Sequence, residues 1–191
     1  APTLTMTGGL PGSGKGQLVK MMQQEVPPFV VVDADKLKDW VLLDLLDKNP
    51  NLRSEMEQCK EWASVSHRVS RVLAHELIVD SVAAGKDCLF DSTLAAPKRE
   101  EYREFVAQAR SKGYRVEAKL AEVELETAVQ RAEARAQQPY KIGAGESQVI
   151  LGGRYVPSEL IRGAYEGLVT NREAFIQEGL FDRLQIFDNN Q

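Results

Sequence analysis

The stretch Gly9-Leu10-Pro11-Gly12-Ser13-Gly14-Lys15-Gly16 carries the most specific chemistry in the chain. Its spacing fits G-x-x-x-x-G-K, a loop whose backbone N–H groups cradle phosphates, in all but the last position. Glycines let such a loop turn tightly, so that several amides point into one hollow. A helix N-terminus behind the hollow adds about half a positive charge. Lys15 is then expected to reach the β- and γ-phosphates of a nucleotide, with Gln17 opening the helix beyond. The motif wants Ser or Thr after the lysine, because that hydroxyl ligates Mg²⁺. Here the residue is Gly16, which keeps the backbone cradle and removes the ligand. Three readings stay open: a natural Gly16 with metal held by carboxylates and water, a nucleotide binder that catalyses poorly, or an engineered substitution.

A phosphate loop does not say who receives the phosphate, water or a bound hydroxyl. A hydroxyl acceptor needs a general base within hydrogen-bond reach. Asp33 and Asp35 follow the apolar run Phe29–Val32, and Asp91-Ser92-Thr93 ends the run from Cys88. In open α/β sheets ligands bind outside the carboxyl ends of the strands, so these acids share a rim with Lys15. Asp35 is placed as the base, and Asp33 and Asp91 as ligands of Mg²⁺, directly or through water. Arg131, Arg135 and Arg154 are candidates to neutralise the transferring phosphoryl group. One arginine in that role is worth roughly 10³–10⁵ in rate, or about 4–7 kcal/mol. Each acid alone reads equally well as a strand-end cap; the set on one rim favours catalysis. Arg131 and Arg135, at i and i+4, read otherwise as surface partners of Glu124, Glu126 or Glu133. His67 and His75 have no cysteine or acid at zinc spacing and are read as structural or surface residues.

These residues need a scaffold, and the hydropathy pattern supplies one. Leu4-Thr5-Met6-Thr7 reads as a buried strand before the loop, and the helix after it runs to about Glu25, stopped by Pro27-Pro28. Phe29–Asp33 is continuously apolar, as a buried parallel strand should be. Leu37, Val41, Leu42, Leu45 and Leu46 repeat at helical spacing up to Asn49-Pro50-Asn51. Leu52–Val65 is read as helical, and Val69, Val72, Leu73 and Leu77 mark a helix ending at Gly85. Cys88–Asp91 is a third strand, Lys98 to Lys112 a helix, and Val116, Ala118 and Leu120 a fourth strand. Glu124 to Gln137 is helical by propensity. Two glycine clusters between 138 and 156, Glu146 among them, suggest a mobile lid, since loops this long are usually functional. Pro157-Ser158 opens a helix, Thr170-Asn171-Arg172-Glu173 fits a capping box for another, and Arg183–Phe187 is a last strand. Five β segments alternating with helices predict an α/β fold: three layers around a central, mostly parallel five-stranded sheet, as in P-loop kinases.

The chain has 191 residues, 43% hydrophobic and 27% charged, which is ordinary for one soluble domain. A net charge of −4 leaves no broad basic footprint and argues against duplex nucleic acid as the main partner. No apolar run approaches the roughly 18 residues of a membrane span, and no signal peptide is read at the N-terminus. Cys59 and Cys88 are too few for a disulfide framework and suit reduced cytoplasmic thiols.

The ordered set of segments resembles the zeta-toxin family of bacterial kinases, which phosphorylate a hydroxyl of UDP-N-acetylglucosamine and are related to the phage polynucleotide kinases. The loop from Gly9 to Lys15 matches the family's own. Val32-Asp33-Ala34-Asp35-Lys36-Leu37-Lys38 resembles its strand-end acid and basic residue, which puts the base on Asp35. Asp91-Ser92-Thr93-Leu94 resembles the segment after its third strand. Leu125-Glu126-Thr127 through Arg131 and Arg154-Tyr155-Val156-Pro157 resemble segments that bring phosphate-contacting arginines. Glu178-Gly179-Leu180-Phe181-Asp182 resembles its ending. Two positions depart: Gly16, and Lys38-Asp39-Trp40, where a His-Pro pair often follows the base. The resemblance implies ATP or GTP as donor with Mg²⁺, and Asp35, Lys38, Asp91, Ser92 and Thr93 around a nucleotide or sugar-nucleotide acceptor. It also implies an antitoxin protein as partner. The other readings are a nucleotide-binding regulatory or toxin-like module with lost catalysis, a 5′-polynucleotide kinase, or an enzyme acting on NAD, as related effector proteins do.

Overall fold

The computed structural model describes residues 1–25, 29–59, 61–145 and 148–190. The stop predicted at Pro27-Pro28, and Glu146 of the predicted lid, lie outside the described residues. β1 (Thr3–Gly8) leads through the glycine loop into α1 (Lys15–Glu25), then β2 (Val30–Asp33) and α2 (Ala34–Lys48). The segment read as one helix over Leu52–Val65 is instead a 3₁₀ turn (Pro50–Leu52) and two short helices, α3 (Arg53–Gln58) and α4 (Trp62–Val65). α5 (His67–Ala83), β3 (Cys88–Asp91), α6 (Arg99–Ser111), β4 (Arg115–Glu122) and α7 (Leu125–Ala136) follow. The chain ends in a hairpin of β5 (Tyr140–Ile142) and β6 (Val149–Leu151), then α8 (Ser158–Glu178) and β7 (Arg183–Asp188).

The central sheet has five strands in the order β2-β3-β1-β4-β7, and every pairing is parallel. Alternation along the strands sorts side chains to the two faces. Leu4 and Met6 of β1, with Val116 and Ala118 of β4, join α5, α6 and α8 through Ile78, Val106 and Phe175 in the main core. Leu18 and Met22 of α1 pack with Leu89 and Ala121 in a separate cluster that covers the other face. A third cluster seats the hairpin: Ile142, Val149 and Leu151 pack on Leu42 and Leu46 of α2 and Met56 of α3.

The capping-box reading of Thr170 is corrected. α8 runs unbroken through it, because the Thr170 hydroxyl donates back to the Glu166 carbonyl, 2.8 Å away, inside the helix. Asn171, 3% exposed, instead donates from Nδ2 to the carbonyls of Leu94 (3.0 Å) and Ala96 (2.8 Å). It pins the segment that follows β3, where Leu94 takes a positive φ of 54°.

Candidate active site

Parallel register sets the rim. Thr7 of β1 pairs with Asp91 of β3, and Asp91 pairs with Asp33 of β2. Three polar residues therefore stand side by side, about 4.8 Å apart, at the carboxyl ends of adjacent strands. The Thr7 hydroxyl donates to the Asp91 carboxylate. Burial pushes the Asp91 carboxyl up, while Lys15 and the Thr7 hydrogen bond pull it back. Asp33 caps α2: its Oδ1 accepts from the N–H of Asp35 at 2.8 Å and of Lys36 at 3.4 Å.

The glycine loop sits beyond β1, and its geometry requires two of its glycines. Gly12 has φ 86°, and a Cβ there would lie 2.4 Å from the Ala128 carbonyl oxygen; Gly14 has φ 87°, and a Cβ would lie 2.1 Å from Asn189 Nδ2. Gly16 differs: it is exposed, with nothing within 4 Å of a Cβ. Lys15 Nζ donates to the carbonyls of Gly9 (2.9 Å) and Leu10 (3.2 Å), curled over the loop it belongs to. Burial lowers its ammonium pKa; Asp91 and Asp35 oppose that, and Arg135 and Arg154 add to it. Ser13 Oγ is buried in the loop with no hydrogen-bond partner.

Asp35 lies in the first turn of α2, where a helix N-terminus favours a carboxylate. It forms ion pairs with Arg154 and, at 2.8 Å, with Lys38. Burial alone would raise its carboxyl, but Arg154 and then Lys38 outweigh that and hold it well below the usual carboxylate range. The Arg154 guanidinium lies 5.3 Å from the centre of the Tyr140 ring, a cation–π distance. The Tyr140 hydroxyl donates to Asp39. A continuous polar chain thus joins the hairpin to α2.

Charges from Asp91, Asp35, Arg135 and Arg154 act on Lys15, and two of them, Asp35 and Arg154, form an ion pair. Arg135 Nε is buried without a hydrogen-bond partner. Arg131 is elsewhere engaged: its Nη1 donates to the Asn189 carbonyl at 2.9 Å. Of the acids considered as surface partners on this helix, Glu126 pairs with Arg162. Ser92 Oγ accepts from the Leu94 N–H (3.1 Å), and the Thr93 carbonyl accepts from the Gly9 N–H (3.0 Å), tying this segment to the phosphate loop. His67 and His75 are exposed, and among the described residues no group of three or more His, Cys, Asp or Glu forms a metal site. The oxygen donors of Asp91 and Asp33 suit Mg²⁺, which is usually held by one or two carboxylates with water and substrate phosphates.

Sequence reasoning missed Tyr140, Asp39 and Asn189. Asn189 follows β7, donates from Nδ2 to the Ser13 carbonyl at 2.8 Å, and so braces the loop. The strand-end rule that found the acids would have found it too. Tyr140 had no such signal, because the hairpin read as loop.

The sequence profile described as "Zeta toxin" matches residues 1–191. None of the curated proteins matches significantly. Among solved structures, the chain is similar to one from the PezAT chromosomal toxin-antitoxin system of Streptococcus pneumoniae, with 18% identity and TM-score 0.67, over 98% of this chain and 69% of that one. It is similar to a candidate kinase from Chloroflexus aurantiacus, with 14% identity and TM-score 0.61, over 99% and 89%. It is also similar to a chain of the AvrRxo1-ORF1:-ORF2 complex with ATP, with 13% identity and TM-score 0.57, over 98% of this chain and 55% of that one. At these identities the likeness establishes the P-loop kinase-like fold.

Proposed function

The chain belongs to the zeta toxin family, and we propose that it transfers the γ-phosphate of ATP or GTP to a hydroxyl of a small nucleotide or sugar nucleotide. One observation carries the reading: Asp35, held ionised, shares a site with Lys15, Arg135 and Arg154 at the mouth of a phosphate loop. Lys15, the loop amides and Ser13 Oγ bind the donor phosphates. In transfer, the acceptor oxygen bonds to the γ-phosphorus, the bond to the β–γ bridging oxygen breaks, and the hydroxyl proton passes to Asp35. Arg154 has a double use. While it pairs with Asp35 it keeps the carboxylate a weak base; once drawn to a phosphate, it leaves Asp35 more basic at the moment a proton must be taken. Arg135 joins Arg131 as a candidate for the second arginine, because its charge acts on Lys15. Arg131 also steadies the loop from the side through Asn189. Asp91 and Asp33 would hold Mg²⁺, which would supply positive charge against the phosphates. Lys38, Ser92 and Thr93 border the acceptor.

The ATP complex in one structure of this fold supports ATP as donor. The toxin–antitoxin setting of another supports an antitoxin partner, and a cytoplasmic site of action fits a consumer of ATP. Gly16 favours a second reading, a nucleotide-binding module with attenuated catalysis. The test is incubation with ATP, Mg²⁺ and a pool of nucleotides and sugar nucleotides, followed by mass spectrometry. The kinase reading expects one acceptor to gain one phosphate; the module binds ATP and yields no product.

A further inference from the structure

α5 is apolar on more than the side it buries. Ser70, Ala74 and Ile78 are buried, yet Val69 and Val72 are 51% and 55% exposed, and Val65, which ends α4 just before, is 65% exposed. Exposed apolar side chains scattered singly are ordinary. These are not scattered. Val65, Val69 and Leu73 recur every four residues in one row, and Arg68, Val72 and Glu76 form the row beside it, all of them exposed. A hollow flanks the rows on each side. One, of about 420 Å³, is lined by Arg71, Val72 and His75, and the other, of about 260 Å³, by Val41 and Leu45 of α2 with Val65 and Val69. Ridges at four-residue spacing beside grooves are the surface form that packs against another helix.

The charges point to which helix. Arg68 lies in the first turn of α5 and Asp80 in the last, with no acid in the first turn and no base in the last. That order opposes the helix dipole, which favours anions at the N-terminus and cations at the C-terminus. Arg68, Glu76 and Asp80 form no ion pair among the described residues. A charge order that works against its own helix suits a contact outside it. Arg68 and Glu76 stand four residues either side of Val72. An antiparallel copy of the same helix, related by a two-fold axis at Val72, sets Arg68 against Glu76 twice and Val72 against itself. Such an interface is self-complementary: each contact from i to j is repeated from j to i.

We propose that this face of α5 is a self-association surface whose occupant is a second copy of this chain, packed antiparallel through Val72 with two reciprocal Arg68–Glu76 ion pairs. The interface is independent of phosphoryl transfer and needs no nucleotide to form.

Analytical ultracentrifugation over protein concentrations from about 1 μM to 1 mM should show a monomer–dimer equilibrium that weakens as salt is raised. Arg68→Glu brings acid against acid at both pairs, and Glu76→Arg brings base against base. Each alone should weaken the dimer about tenfold or more. The double variant restores opposite charges and should regain the original affinity. Each reversal follows the helix dipole, so the variants should keep the fold, which circular dichroism and melting check. Val72→Lys puts two ammonium groups at the axis and should keep the chain monomeric with either charge pattern. A chain that stays monomeric at every concentration would overturn the proposal and leave the face to a different protein's helix. A dimer that neither single reversal weakens, or a double variant no tighter than the singles, would overturn it as well, because the copies would then meet elsewhere.

Discussion

The proposed base, Asp35, has as its strongest partner an arginine to which a second use is also proposed, and this tension has consequences that can be measured. Its carboxyl is depressed in the folded protein by Arg154 and Lys38. A depressed carboxyl stabilises the fold in full above its unfolded pKa, about 4, and loses that contribution as the pH falls towards the folded value. The difference in melting temperature between the protein and Asp35→Asn should therefore shrink as the pH drops from about 6 to 3; a difference that grows would put the ion pair in the wrong place. Lys15→Ala should weaken ATP binding more than ADP binding in calorimetry, because Lys15 is expected at the terminal phosphates; equal losses would contradict that. Gly16 has open space around its Cβ position and no positive φ. Gly16→Thr should fold normally and raise both Mg²⁺ affinity and transfer if the missing hydroxyl limits activity. Unchanged turnover would show that Asp91, Asp33 and water suffice.

At the scale of elements, the segment after β3 depends on one buried amide. Asn171→Ala removes two hydrogen bonds to Leu94 and Ala96 and leaves their carbonyls unpaired. Such a loss costs about 1–3 kcal/mol, or roughly 2–12 °C in melting temperature for a chain of this size. Calorimetric melting checks it, and a shift within a degree would mean that the turn is held by other contacts. The same position shows why some elements were not legible. Thr170 and Glu173 carry the spacing of a capping box, but local spacing cannot reveal that Asn171 points into a polar slot formed 75 or more residues earlier. β5 and β6 are three residues each, too short for a period of two to show, and their glycine-rich flanks read as loop. They are fixed by packing on α2 and α3, a tertiary cause. The strands of the main sheet were legible because long apolar runs between helices leave few alternatives.

At the scale of the whole molecule, parallel register does what no single motif can: it brings Thr7, Asp33 and Asp91 to one rim from three distant stretches of chain. The rule that ligands bind at strand ends made the acids and the loop legible together. It could not show that Arg131 reaches the Asn189 carbonyl, because that contact depends on how α7 is rotated against the loop and on a residue 58 positions later. The central claim is that the assembled rim moves a phosphoryl group to a hydroxyl with Asp35 as base. Asp35→Asn keeps the size and cannot take a proton. The most direct measurement is single-turnover transfer from labelled ATP to the acceptor found by mass spectrometry, in the natural background and with Gly16→Thr, paired with ATP affinity. Asp35→Asn should leave ATP affinity within a few-fold and cut transfer by roughly 10²–10⁴, while Asp33→Asn should mainly raise the Mg²⁺ requirement. Full transfer by Asp35→Asn at saturating Mg²⁺, with transfer lost in Asp33→Asn, would contradict the account.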